Sequence, residues 1–114
     1  MGFDAPMERT PDEYRNSANI FHYVVKDDSM LPLLDVYDIA HVYKKNTYKD
    51  GETILFTLDN TEYIRKIVEN NNLIELHAMN PYYPILKYSK EELKNKKFTI
   101  IGKVIKAENK SAFK

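Results

Sequence analysis

The 114-residue chain contains no cysteine, no tryptophan and only three glycines. The lack of cysteine excludes disulfides, a thiolate nucleophile, thiolate metal ligands and iron–sulfur clusters. No apolar run approaches the ~20 residues of a membrane-spanning helix. The first residues, Met1–Glu8, are acidic, whereas a signal peptide is basic and then apolar. We therefore expect a cytoplasmic protein with no membrane partner.

The chain also lacks an excess of charge of either sign, because 17 Lys and Arg balance 17 Asp and Glu. Strong phosphate binding needs Lys and Arg gathered in excess on one face, so we do not expect this chain to contact DNA by itself. A chain of this length forms one domain that buries roughly 65% of its unfolded surface, which excludes a TIM barrel. Size and charge together favour a compact β or α+β module.

Short segments rich in β-branched and aromatic residues, separated by turn residues, predict a mainly antiparallel β domain. The two-residue connection Asp59-Asn60 predicts a tight hairpin. Ser89 and Glu92 have the spacing of a capping box and predict a short helix over Lys90–Asn95. The predicted strands are Ile20–Val25, Ile39–Tyr43, Thr53–Leu58, Thr61–Val68, Leu73–His77 and Phe98–Lys106.

The two ends of the chain differ in composition from this β-rich part. Residues 1–19 are polar, contain Pro6 and Pro11 and show no apolar periodicity, which predicts a linker or N-terminal arm. The domain is expected over residues 20–107, and the polar residues 108–114 predict a flexible tail.

A serine that follows the first predicted strand is the main functional signal. Ser29 lies in a turn-like segment, and five further motifs follow it in a fixed order. These motifs resemble the C-terminal domain of the self-cleaving LexA-type and UmuD-type serine peptidases, which many phage repressors share. The resemblance extends from about Tyr23 to Ile105, and the residues that carry it are Val25–Pro32, Asp35–Ile39, Asp50–Glu52, Tyr63–Ile67, Asn80–Ile85 and Ile100–Val104.

The resemblance implies a compact β fold of the LexA and signal-peptidase type, with a serine nucleophile and a lysine general base on the second arm of the hairpin. Ser29 takes the nucleophile position, and Asp28 and Met30 flank it in the turn that would bind the oxyanion. Counted from the hairpin glycine, the base position falls on Arg65, and Lys66 follows it.

Arg65 changes the chemistry that this position supports. A Ser–Lys dyad works because burial lowers the pKa of an ammonium until it can be neutral and accept the hydroxyl proton. A guanidinium, with a pKa above ~12, cannot be deprotonated in a protein. Lys66 would reach Ser29 only through a bulge or a one-residue register shift, because neighbouring strand residues point to opposite faces.

Two turns and the cleaved bond also depart from the family's pattern. Asp27 and Tyr37 replace glycines that the family usually has before its two aspartates, and both positions are expected to need a positive φ. The family commonly cuts an Ala-Gly or Cys-Gly bond in its own linker, and no alanine of this chain precedes a glycine.

We expect the C-terminal dimerisation domain of a LexA-like or phage-type transcriptional repressor, a homodimer that meets DNA only through a missing N-terminal domain. The alternative is an active Ser–Lys autopeptidase of the DNA-damage (SOS) response, with Lys66 turned inward and an activated RecA-type filament as partner. A signal-peptidase-like enzyme is disfavoured by the lack of a membrane anchor. A generic β-barrel binding module would be indicated if Ser29 lay far from Arg65 and Lys66.

The histidines and the loop tyrosines are assigned no chemistry. His22, His41 and His77 lie in apolar strand patterns without metal-ligand spacing, so we predict no metal and no cofactor. Tyr82 and Tyr83, between prolines, are predicted to pack in a loop rather than to stack on nucleic-acid bases.

Overall fold

A computed structural model describes residues 18–109 of the chain. The predicted arm and tail lie almost wholly outside this range and stay predictions. In chain order the elements are β1 (Ile20–Val24), β2 (Ile39–Lys44), β3 (Thr53–Leu58), β4 (Thr61–Asn70), β5 (Leu73–His77), β6 (Leu86–Ser89), α1 (Lys90–Asn95) and β7 (Thr99–Glu108).

The seven strands form one sheet in the order β1-β2-β7-β3-β4-β5-β6, and every neighbouring pair is antiparallel. The predicted fold class, a mainly antiparallel β structure with one short helical segment, is confirmed. The last strand, β7, lies between β2 and β3, so the two halves of the chain are joined through the centre of the sheet. Gly102 is required there, since a Cβ at this position would lie 2.4 Å from the Tyr43 carbonyl oxygen.

The hairpin of β3 and β4 fixes the register on which the candidate site depends. Asp59 and Asn60 have φ values of 50° and 70°, the left-handed conformation of a tight two-residue turn. The turn pairs Leu58 with Thr61, and the ladder continues without a bulge until Ile54 lies opposite Arg65. The predicted hairpin is thus confirmed, and its register sets which side chain of β4 faces Ser29.

The short helix α1 begins with the predicted capping box. The Ser89 hydroxyl accepts a hydrogen bond from the Glu92 N–H, and the Glu92 carboxylate accepts one from the Ser89 N–H. Strand β6 immediately precedes this helix and pairs with β5. It was not predicted from the sequence. Its four residues are too few, and too polar, for an alternating apolar pattern to stand out.

Two clusters of buried side chains stabilise the sheet. The first lies under the Ser29 turn and the second lies between the β3–β4–β5 part of the sheet and α1. The first consists of Val25, Met30, Leu34, Ala40, Val42, Leu55, Ile64 and Val104. The second consists of Ile54, Phe56, Leu58, Ile67, Ile74, Leu76 and Leu93.

Candidate functional site

The turn after β1 holds Ser29 at the surface of the first core cluster. Val25 donates its N–H to the Asp38 carbonyl at 2.9 Å, and Tyr37 donates its N–H to the Val25 carbonyl at 2.8 Å. Met30 is only 1% exposed and anchors the turn in the core. Ser29 itself is buried, so the position of its hydroxyl is fixed by the packing around it.

One of the two replaced glycines does need a positive φ. Tyr37 has a φ of 72°, a conformation that costs a side-chain-bearing residue on the order of 1 kcal/mol. Asp27 has no such φ, so the expectation of a strained turn is wrong at this position. The Asp27 side chain instead accepts hydrogen bonds from Ser29.

The Ser29 hydroxyl makes hydrogen bonds to two charged side chains. Arg65 Nη1 donates to Ser29 Oγ at 2.7 Å. Ser29 Oγ donates to Asp27 Oδ1 at 2.6 Å, and the Ser29 backbone N–H donates to the same oxygen at 3.0 Å. The hydroxyl is therefore held between a cation and an anion, with its proton directed at the carboxylate.

Arg65 fills the base position as a buried cation. It is 4% exposed, and its Nη1 also donates to the Ile64 carbonyl at 2.8 Å. Its guanidinium carbon lies 5.2 Å from the Tyr63 ring centroid and 5.5 Å from that of Tyr83. Burial lowers the pKa of Arg65, and the Asp27 carboxylate is the main group that opposes this by stabilising the charged form. A guanidinium in this setting stays protonated at neutral pH.

Lys66 lies on the other side of the strand from Arg65. It is exposed, and its neighbours across the sheet are Thr53 on β3 and His77 on β5. The ladder has neither a bulge nor a shift between β3 and β4, the two changes that would turn Lys66 inward. Of the two basic residues named from the sequence, the structure thus brings Arg65 to Ser29 and leaves Lys66 facing away.

The loop after β5 holds the serine turn through three hydrogen bonds. Asn80 donates its backbone N–H to the Ser29 carbonyl at 2.9 Å and its side-chain Nδ2 to the Asp28 carbonyl at 3.0 Å. The Tyr83 hydroxyl donates to Asp28 Oδ1 at 2.6 Å. The hydrogen bond to the Asp28 carboxylate, helped by burial, raises the pKa of Tyr83.

This loop contains functional positions to which sequence reasoning gave no role. The prediction that Tyr82 and Tyr83 both pack is wrong for Tyr82, which is 92% exposed, whereas Tyr83 lies over Arg65. Two adjacent tyrosines between prolines look alike in sequence, and only the fold distinguishes them. Asp28 also joins the turn to the loop through Asn80 and Tyr83, and the oxyanion role expected at Asp28 and Met30 stays a prediction.

The arrangement occupies the groups that acyl transfer would use. A Ser nucleophile needs a neutral base to accept its proton, and the group in that place is a guanidinium. An oxyanion site needs free N–H donors, and the Ser29 N–H already donates to the Asp27 carboxylate. Asp27 and Arg65 both depart from the family's pattern, and they do so with opposite charges at one hydroxyl, a pairing that the sequence alone could have suggested.

The histidines form no metal centre within residues 18–109, where no three His, Asp or Glu side chains are grouped to hold an ion. The His22 and His41 rings meet across β1 and β2 with centroids 4.2 Å apart and planes tilted by 55°, and His41 Nε2 lies 3.0 Å from Glu108 Oε1. The same range contains no helix with the length and apolarity needed to cross a bilayer.

Asp27 is expected to stabilise the domain through Ser29 and Arg65. Asp27→Asn keeps the shape but removes the charge that faces a buried cation, and should lower the free energy of unfolding by about 1 kcal/mol. Urea denaturation measures this, with the exposed Asp59→Asn as control, whose effect should stay within about 0.5 kcal/mol. If Asp27→Asn lowered the free energy of unfolding by the same amount in an Arg65→Met background, Asp27 would not act through Arg65. That result would contradict the stabilising role given to Asp27.

Comparison of the sequence with known proteins identifies the family. Residues 4–105 match the Peptidase S24-like family. The chain is 29% identical over 96 residues to the LexA repressor of Leptospira biflexa serovar Patoc (strain Patoc 1 / Ames), and 27% identical over 97 residues to that of Leptospira interrogans serovar Lai. Each alignment covers 83% of this chain and 44% of the relative, so the chain spans less than half the length of these repressors. The chain belongs to the Peptidase S24-like family, as a peptidase-fold domain like that of the LexA repressors.

Proposed function

We propose that this chain is the dimerisation domain of a LexA-like or phage-type transcriptional repressor in which self-cleavage has been lost. The observation that carries the proposal is the 2.7 Å hydrogen bond from buried Arg65 Nη1 to Ser29 Oγ. The cation occupies the place that the resemblance assigns to the base, and Asp27 occupies the Ser29 N–H. The site would then serve as a structural lock between β4 and the serine turn.

Three contacts support a locked rather than a reactive serine. Arg65 donates to the oxygen that would attack, which lowers its nucleophilicity. Asp27 accepts both the hydroxyl proton and the Ser29 N–H. Tyr83 covers the guanidinium and is tied to the same turn through Asp28. The contacts of Arg65 and Asp27 occupy the hydroxyl and the N–H that a catalytic serine would need free.

The rival function is the active Ser–Lys autopeptidase with Lys66 as the base. The register of the β3–β4 hairpin argues against it, because Lys66 lies opposite Thr53 and is exposed to water. A general base must lie within hydrogen-bond reach of the hydroxyl whose proton it accepts, and a side chain on the opposite face of β4 does not. We therefore favour the locked domain.

A fluorophosphonate probe, which labels nucleophilic serines covalently, tests whether Ser29 is reactive. The wild-type chain should remain unlabelled from neutral to alkaline pH. The double variant Asp27→Gly/Arg65→Lys places a lysine at the base position and frees the Ser29 N–H. It should gain labelling on the order of 100-fold, rising with pH as the lysine loses its proton. Intact-protein mass spectrometry measures the extent of labelling.

Ser29→Ala in the same double variant is the control and should abolish the gain. Labelling of the wild-type chain at Ser29 that disappears in Lys66→Ala would overturn the proposal and establish the autopeptidase.

The strand pairing of the C-terminal part of β7 supports the dimer. The pairing of β7 with β3 ends at Lys103, whereas its pairing with β2 continues to Glu108. Beyond Lys103, no strand among residues 18–109 pairs with β7 on the side of β3. A strand with an unpaired edge readily adds another strand, and two copies of β7 could pair there about a two-fold axis.

The DNA-binding part of the function belongs to the longer protein that we propose. The relatives named LexA repressor are more than twice as long as the aligned part of this chain, since the alignment covers 44% of each. An additional N-terminal domain would bind DNA, and the dimer would hold two such domains at a fixed spacing.

The absence of cysteine permits a direct test of the β7 dimer. The single substitutions Lys106→Cys and Glu108→Cys each place a thiol on the part of β7 that follows Lys103. Antiparallel pairing about a two-fold axis would bring at least one of them close to its own copy. Mild oxidation should convert most of that variant to a disulfide-linked dimer on a non-reducing gel. Lys87→Cys on β6 is the control, and equal crosslinking of all three variants, or a monomer in sedimentation equilibrium, would contradict the dimer.

A further inference from the structure

A second concave site lies between α1 and the strands β4 and β5. It is a cavity of about 190 Å³. Among residues 18–109, four apolar side chains line it together with three polar ones, Tyr48, Lys90 and Lys94. The apolar residues are Ile67, Ile74, Leu93 and Phe98.

The polar side chains of the cavity are not equivalent. Lys90 Nζ lies 3.3 Å from Glu69 Oε2, and the Tyr48 hydroxyl donates to the same carboxylate oxygen. Lys94 lies one turn further along α1 and has no ion pair among residues 18–109. Residues four apart on a helix lie on one side, so the two ammonium groups border the same opening. Within the described range, Lys90 thus has the Glu69 carboxylate as its anion, whereas Lys94 has none.

The size of the cavity limits its occupant. An apolar cavity of about 150 Å³ accepts a benzene molecule, whereas drug-sized ligands occupy roughly 300 Å³ or more. A single ring fits a cavity of about 190 Å³, and a folded peptide segment does not. Phe98, tilted against Phe56 at 5.3 Å between ring centroids, gives the cavity an aromatic wall that suits a second ring.

We propose that this cavity binds a small aromatic carboxylate, with the ring against the apolar side chains and the carboxylate paired with Lys94. The apolar lining excludes a charged group from the interior, and the Lys94 ammonium, which no carboxylate of residues 18–109 pairs with, favours an anion at the border. Ile67 follows Arg65 by two residues on β4, so both sites contact the same face of one strand. The inference rests on the cavity and does not depend on whether Ser29 is reactive.

Titration with 3-phenylpropanoate tests the proposal on the full chain. Two matched probes share the ring and differ in charge, namely neutral 3-phenylpropan-1-ol and cationic 3-phenylpropylamine. We expect saturable binding of the acid with a Kd on the order of 0.1–1 mM, about 3-fold weaker binding of the alcohol, and the weakest binding of the amine. Isoleucine methyl NMR locates the ligand, and the largest shifts should fall on Ile67 and Ile74.

Lys94→Gln and Lys87→Gln provide matched variants, because both remove one exposed lysine and only the first borders the cavity. Lys94→Gln should weaken the acid about 3-fold and leave the alcohol unchanged, and Lys87→Gln should change neither. The proposal is overturned by equal affinities for acid and amine, by shifts confined to other isoleucines, or by no saturable binding below about 10 mM. Contacts of Phe3 with Leu93 in the ligand-free chain would also overturn it, since the chain's own segment would then be the occupant.

Discussion

The hydrogen bond from Arg65 to the Ser29 hydroxyl is the contact around which the site is built. A buried guanidinium is costly unless its charge is compensated, and here the Asp27 carboxylate faces it across a shared serine. Two aromatic rings and the Ile64 carbonyl surround the remaining faces of the cation. The Nε of Arg65 is buried without a hydrogen-bond partner in the described part of the chain, so the compensation is incomplete. A site with these constraints is suited to holding two elements together.

The register of one hairpin decides which chemistry is possible. The left-handed turn at Asp59 and Asn60 fixes the pairing of β3 with β4, and this pairing directs Arg65 towards Ser29 and Lys66 towards water. A shift by one residue would exchange the two side chains and place a titratable amine beside the serine. The proposed loss of self-cleavage therefore depends on a turn distant from the serine as much as on the identity of residue 65.

The sequence predicted the parts of this arrangement that depend on local chemistry. The hairpin, the capping box at Ser89 and six of the strands follow from turn residues and alternation, and the position of Arg65 follows from counting along the hairpin. The contacts of Asp27, Asn80 and Tyr83 were not predicted, because they join segments distant in sequence and depend on how loops fold over the sheet. Strand β6 was missed for a different reason, since four residues carry too little pattern. The cavity beside α1 likewise appears only when helix and sheet are packed together.

We propose that the arginine at the base position silences a serine turn that is otherwise formed. The most direct measurement is self-cleavage of the chain joined to an upstream linker that contains an Ala-Gly bond, the kind of bond that this family commonly cuts. Incubation at alkaline pH, followed by mass spectrometry, would reveal any cut. We expect the wild-type chain to stay intact and the Asp27→Gly/Arg65→Lys variant to cut its linker. Cleavage of the wild-type chain that is lost in Ser29→Ala would contradict it.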